Sequence, residues 1–192
     1  MDETCNHFML NRKEKIVVQH LIQREGVKMQ SRYEKLIVRR LSTPLHEIQP
    51  SATNGEDFTP TGVRVLCDKE LFPGTGSIVE YNIIDHDTSL GNRPGGPQPH
   101  KHEYSELLVY LGTNPDDPDE LGGEIELWLG EDEELEKVTL TTSSSILIPP
   151  GLAHLPLFYK NVYRPIIHVL VMFDSTNYDF IPVSREGRPF SE

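Results

Sequence analysis

The stretch GGPQPHKHEYSELLVYLG, residues 95–112, decides how the rest of the chain is read. Its second half, Glu106 to Leu111, is a run of β-forming residues, and Gly112 closes it. Successive side chains of a strand point to opposite faces, so residues two apart share a face. His100 and His102 therefore project together, and Glu106 has the same parity. Imidazole nitrogens with a carboxylate oxygen suit iron, manganese, nickel, copper or zinc. Ligands fixed on one extended segment also lose little freedom when an ion binds.

A His-x-His pair is unremarkable in a chain of 192 residues with eight His. What gives it weight is a second segment, SSSILIPPGLAHLPLFYK, residues 143–160. Here an apolar strand runs into Pro149-Pro150-Gly151, a sharp turn, and His154 follows three residues after the glycine. Turn chemistry of this kind can aim His154 back across a barrel toward the other three side chains.

Around these two segments the chain reads as short strands. Val63 to Cys67, Ser77 to Ile84, Glu106 to Leu111, Glu124 to Leu129, Lys137 to Leu140, Ser145 to Ile148 and Ile166 to Phe173 are β-like runs. Pro73-Gly74, Gly91 to Pro99, Gly112 to Gly123, Gly130 to Glu133 and Pro149 to Gly151 break them. Strands at that spacing predict an all-β sandwich or barrel. Residues 62–174 form this barrel, with 175–192 as a C-terminal tail. Residues 29–61 supply a strand over Lys35 to Leu41 and a loop packing on the barrel. Residues 1–28 are an N-terminal extension, in which Ile16, Val17, Leu21 and Ile22 have the spacing of a short helix.

Composition excludes several classes. A net charge of -12 leaves no basic stripe for nucleic acid. Much of the acidity lies between Asp116 and Glu136, without the spacing of a calcium loop, and reads as a solvated loop and hairpin. No apolar run approaches the ~20 residues of a membrane helix, and the charged N-terminus has no signal-peptide core. Cys5 and Cys67 have no framework spacing and read as free thiols, so a cytoplasmic protein is expected.

The two segments resemble the paired motifs of the cupin superfamily. Gly95, His100, His102, Glu106 and Gly112 stand at the first motif, and Pro149, Gly151 and His154 at the second. The spacers before His100 and after Glu106 are each one residue short. Ser143 stands where the second motif opens with Gly, and Phe158 stands where it ends in Asn. None of these departures removes a ligand. The resemblance covers about residues 62–174 and implies a double-stranded β-helix, a jelly-roll barrel, as a single-domain monocupin. It further implies that His100, His102, Glu106 and His154 hold one divalent transition metal ion, iron first, with manganese, nickel, zinc or copper as alternatives. It implies a homodimer paired through sheets, with the N-terminal segment able to take part.

Several other residues carry weaker signals. Tyr104 has ligand parity and is a candidate acid, base or hydrogen-bond donor. Gln98 and His168 are further candidate catalytic residues, although His168, in the apolar run PIIHVLVMF, also reads as a satisfied interior histidine. Tyr81 shares a face with Val79 and Ile83, which predicts core packing near the cavity. Trp128 reads as core or cavity wall. Lys160 and Arg164 flank the second motif and read as solvated cations or anion holders. The expected function is a metal-dependent enzyme acting on a small polar or anionic molecule. An iron(II) dioxygenase, hence an oxidoreductase, is the first reading. A non-oxidative decarboxylase, isomerase or lyase is the second, and a non-catalytic metal- or ligand-binding protein the third.

Overall fold

The computed structural model describes residues 32–38, 63–91 and 98–184. The expected helix over residues 14–24 lies outside them. The chain divides into two units, Met1–Ile37 and Val38–Glu192. In the first, Glu34–Leu36 is a 3-10 turn closed by the Leu36 and Ile37 N–H groups on the Tyr33 and Glu34 carbonyls, at 2.8 and 3.0 Å. This turn takes up Lys35 and Leu36, where the strand expected over Lys35 to Leu41 would begin. The β-propensity of these residues is expressed only on a paired ladder; here the backbone bonds locally. Residues 39–41 lie outside the described set.

The second unit is all-β, with eleven described strands. They are β1 Arg64–Cys67, β2 Ile78–Ile84, β3 Thr88–Leu90, β4 His100–Lys101, β5 Glu106–Gly112, β6 Glu120–Leu129, β7 Glu136–Thr142, β8 Ser144–Ile148, β9 His154–Lys160, β10 Ile166–Met172 and β11 Ile181–Pro182. One sheet runs β1-β2-β10-β5-β8 and the other β11-β4-β9-β6-β7, with β3 on β9. The pairings are antiparallel throughout the described ladders. Sequence neighbours are seldom ladder neighbours: β10 inserts between β2 and β5, and β9 between β4 and β6. That is the crossed connectivity of a jelly roll.

The core lies between the sheets. Leu108, Tyr110, Ile148 and Ile166 from the first meet Leu121, Ile125, Leu127, Leu157 and Tyr159 from the second. Each fully buried aliphatic side chain contributes roughly 1.5–3 kcal/mol. At Gly112 the two sheets come into backbone contact, and a Cβ there would sit 1.7 Å from the Glu120 carbonyl oxygen.

Strand β2 reverses one expectation. Ile78, Glu80, Asn82 and Ile84 are its buried face, while Val79 and Tyr81 are half-buried and Ile83 is exposed. Tyr81 is therefore on the outer face, not beside the cavity. Alternation assigns an inner face by apolarity, and this strand turns two polar residues inward and three apolar ones outward.

Candidate metal centre

His100 opens the site on β4, where it pairs directly with His154 at the start of β9. Glu106 opens β5, in the opposite sheet. Between them the chain leaves the ladder, so His102 lies in the link that carries it from one sheet to the other. The single continuous strand expected from parity is thus two short ones. The side chains still converge, because the link bends into the barrel.

The turn before His154 is built by its composition. Gly151 has φ +82°, the Leu152 N–H donates to the Pro149 carbonyl at 3.2 Å, and Pro150 precedes the glycine. Proline at the second position and a positive-φ residue at the third are what a type II turn requires. The Gly151 N–H in turn donates to the His102 carbonyl at 2.8 Å, tying the second segment to the first.

Ring nitrogens of His100, His102 and His154 lie within 4.8 Å of one another, and all three residues are buried. The Glu106 carboxylate stands 3.1 Å from His102 Nε2 and 3.2 Å from His154 Nε2. On the far side of the rings, the Nδ1–H groups of His100 and His102 donate to the Gln98 and Tyr104 carbonyls at 2.6 and 2.7 Å. His154 Nδ1 faces the Leu152 carbonyl at 3.4 Å. A carbonyl only accepts, so it fixes the proton on Nδ1 and leaves the Nε2 lone pair pointing inward, as in histidines that ligate metals.

This arrangement fits a metal. Two Nε2 atoms facing one carboxylate oxygen need positive charge between them. Ligands at right angles around an ion, each about 2.1 Å from it, stand about 3 Å apart, close to the observed separations. Burial, with His154 nearby, pushes the His100 pKa down to about 4, so its imidazole is neutral. Burial raises the Glu106 carboxyl, while the His102 and His154 rings beside it lower it to about 2, so it is ionised. Neutral imidazoles and a carboxylate are the protonation states that metal binding needs.

The three other expected residues are placed differently. The Tyr104 ring stacks on His102, centroids 4.0 Å apart and planes within 6°. Its hydroxyl is buried and has no hydrogen-bond partner among the described residues. Gln98 has an exposed side chain and reaches the site through its carbonyl. His168 faces inward on β10, pairs through Nδ1 with the Tyr159 hydroxyl at 2.7 Å and stacks on Tyr110. In the ladder it lies four residues from Met172, the partner of Glu106, or about 13–14 Å along the strand. Lys160 is paired with Glu126 at 2.9 Å, and Arg164 lies 3.9 Å from Glu120. Trp128 is half-buried on β6.

Two features had no signal in the sequence. Glu80 is buried on β2 and accepts a hydrogen bond from the Tyr178 hydroxyl. The segment carrying Tyr178 also lays the Phe180 ring against His100, centroids 4.6 Å apart, and pairs β11 with β4. Ile181 and Pro182 sit opposite Lys101 and His100, so this segment borders the centre.

Two facing antiparallel sheets of jelly-roll connectivity enclose three histidines and a glutamate, contributed by the two motif segments. The barrel is a jelly roll of the double-stranded β-helix type. No protein-family model matches the chain, and no curated protein matches it. Among solved structures, it is similar to a recombinant oxalate oxidase in complex with glycolate, 17% identical, covering 77% of this chain and 63% of that one, with a TM-score of 0.46. It is also similar to a cupin 2 conserved barrel domain protein from Rhodopseudomonas palustris, 12% identical over 65% of this chain and 67% of that one, TM-score 0.41. A polyketide cyclase from Streptomyces resistomycificus is 18% identical over 65% of this chain and 72% of that one, TM-score 0.41. The chain spans less than two thirds of the oxalate oxidase. Among the described residues, no helix is long and apolar enough to cross a membrane.

Proposed function

We propose that this cupin barrel is a metal-dependent enzyme acting on a small polar or anionic molecule, with His100, His102, Glu106 and His154 as the ligands. The observation that carries the reading is the set of inward Nε2 atoms, their rings pinned from behind, around one ionised carboxylate. Three neutral imidazoles and one carboxylate leave a net positive charge of about one at a bound divalent ion, which favours an oxygen-donor anion. When bound, the ion supplies Lewis acidity and, if it is iron(II), a place where substrate and dioxygen meet. Tyr104, stacked on His102 with its hydroxyl free, donates a hydrogen bond to the bound molecule. Gln98 positions His100 through its carbonyl, and His168 is held apart by Tyr159 and supports the barrel interior.

Iron(II) and a dioxygenase reaction remain the first reading. A non-oxidative Lewis-acid reaction is the second, favoured by the buried acid Glu80 in the same lumen. The decisive experiment loads the protein separately with iron(II), manganese, nickel, zinc and copper. Each form is assayed with catechols, thiols, diketones and hydroxy acids, with and without dioxygen. Stoichiometric dioxygen uptake by the iron form supports the first reading, and turnover under strict anaerobiosis supports the second. No turnover in any form, with a closed coordination shell, would leave a binding protein and overturn the enzyme reading.

The same reading includes a homodimer in the cytoplasm. Ile83, Leu111 and Leu147 are exposed on the outer face of the β1-β2-β10-β5-β8 sheet, flanked by the half-buried Val79, Val169 and Leu107. An apolar sheet face of that kind suits a second copy of itself.

A further inference from the structure

Glu80 is a buried carboxyl group on β2, between Ile78 and Asn82 of the same face. It faces inward from β2, with Val65 and Leu170 as its ladder partners on either side. Leu170 and Met172 are successive inward residues of β10, and Met172 pairs with Glu106. Glu80 therefore lies one inward rung, about 7 Å along the strand, and two strands, about 10 Å across the sheet, from Glu106. No lysine, arginine or histidine forms an ion pair with it among the described residues. Its one side-chain hydrogen bond comes from the Tyr178 hydroxyl to Oε1, and Oε2 accepts none from the described residues. A buried carboxylate without a cation is costly unless something recovers the loss. The cost is understandable if the group must change its charge in use.

The groups that act on it come from every side. Tyr178 donates from the C-terminal segment, Glu106 adds negative charge from β5, and Asp68 adds more from the loop after β1. Tyr104, stacked on His102, feels the charge of both Glu80 and Glu106. Burial raises the Glu80 carboxyl, the Tyr178 bond lowers it, and the balance stands at about 7.

We propose that Glu80 is the acid–base residue of this centre, and that Tyr178 positions it. A substrate bearing a hydroxyl gives up its O–H proton on entering beside His102 and Glu106. That proton moves to a carboxylate oxygen of Glu80, which becomes neutral, and it returns to the product oxygen as product leaves. One O–H bond breaks as another forms, and no oxidant is consumed. This rests on the metal-centre reading but not on which reaction follows, because a deprotonated ligand serves both.

The test uses full-length protein loaded with cobalt(II) and acetohydroxamic acid as the probe, a neutral hydroxyl-bearing chelator that binds metals as its anion. Calorimetry in buffers of different ionisation enthalpy counts the protons released to solvent for each hydroxamate bound. If Glu80 takes the proton, wild-type release falls from about one to about zero as pH rises through the Glu80 midpoint. Glu80→Gln should release about one proton across that range. Tyr178→Phe removes the bond that lowers the Glu80 midpoint, so its curve should keep the wild-type shape and move to higher pH. It also answers the case in which Glu80→Gln fails to fold. Equal, pH-independent release from wild type and Glu80→Gln overturns the proposal, as does a Tyr178→Phe curve superimposed on the wild type. Hydroxamate that fails to bind the loaded protein overturns it too. Failure of the underlying metal reading has a separate signature: cobalt absent from wild type, or retained in full by His154→Ala.

Discussion

His168 gives a prediction whose size follows from its surroundings. The ring is fully enclosed between Tyr110 and Tyr159, and burial lowers its pKa from 6.5 to about 4. An unfolded chain takes up a proton at this histidine as pH falls through 6.5, whereas the folded chain refuses it until about 4. The unfolded state thus binds more protons in that window. Stability from this residue is complete above 6.5, is lost as pH falls, and stops falling below about 4. The full difference is about 3 kcal/mol, of which roughly 2–3 kcal/mol is gone by pH 4.5. Replacing His168 with Asn keeps an acceptor for the Tyr159 hydroxyl and removes the titration. Urea unfolding of wild type and His168→Asn, both with chelator present, should be compared at pH 7 and pH 4.5. The stability gap between them should shift by that amount in favour of the variant at the lower pH. His100 and Glu80 also titrate, but they are present in both proteins and cancel. An unchanged gap would mean that the ring is hydrated or already charged in the fold, and the assignment of His168 to the barrel interior would fall.

Four other outcomes follow. Replacing His102 or His154 with Ala should abolish stoichiometric metal, measured by elemental analysis after dialysis; full retention in both breaks the assignment at its base. Metal at a thousandfold excess over its Kd should add about 4 kcal/mol, or roughly 8–16 °C in melting temperature for a domain of this size, and a chelator should reverse the shift. Gly112→Ala, which drives a Cβ into the Glu120 carbonyl, should cost about 1–3 kcal/mol or more in urea unfolding, whereas a near-neutral result would mean that the two strands separate easily there. The pair Ile83→Lys and Leu147→Lys should convert a dimer of twice 21.9 kDa into a monomer by light scattering, and an unchanged mass would place the interface elsewhere.

The strands that could be read in the sequence share a property. β2, β5, β7, β8 and β10 are runs of β-formers bounded by Gly, Pro or charged turns. The elements that escaped are short or interrupted. β4 has two residues and exists by its pairing with β9 and β11. β3 and β11 likewise exist by pairing with β9 and β4. Strand β9 is buried on both faces from His154 to Tyr159, so it shows no alternation to find. At the site, the sequence carried the residue types and the turn that aims His154, since Pro150 and Gly151 prescribe their own geometry. It did not carry the crossing between sheets at His102, which is a matter of ladder pairing rather than local preference.

The remaining failure is the most instructive, because it has one cause. An inner face is assigned by apolarity, which assumes that the interior wants only hydrocarbon. On β2 that assumption picks Val79, Tyr81 and Ile83, and the barrel instead encloses Glu80 and Asn82. Neither choice is neutral. Enclosing a carboxyl without a cation costs several kcal/mol, and leaving Ile83 exposed forgoes part of the gain from burying it. A strand that accepts both costs has work on both sides: a proton-carrying group toward the metal ligands, and an apolar surface toward a partner. The two claims can fail separately, since Glu80→Gln tests the inside and Ile83→Lys the outside. If both substitutions are silent, the reversed alternation of β2 is left without a physical cause.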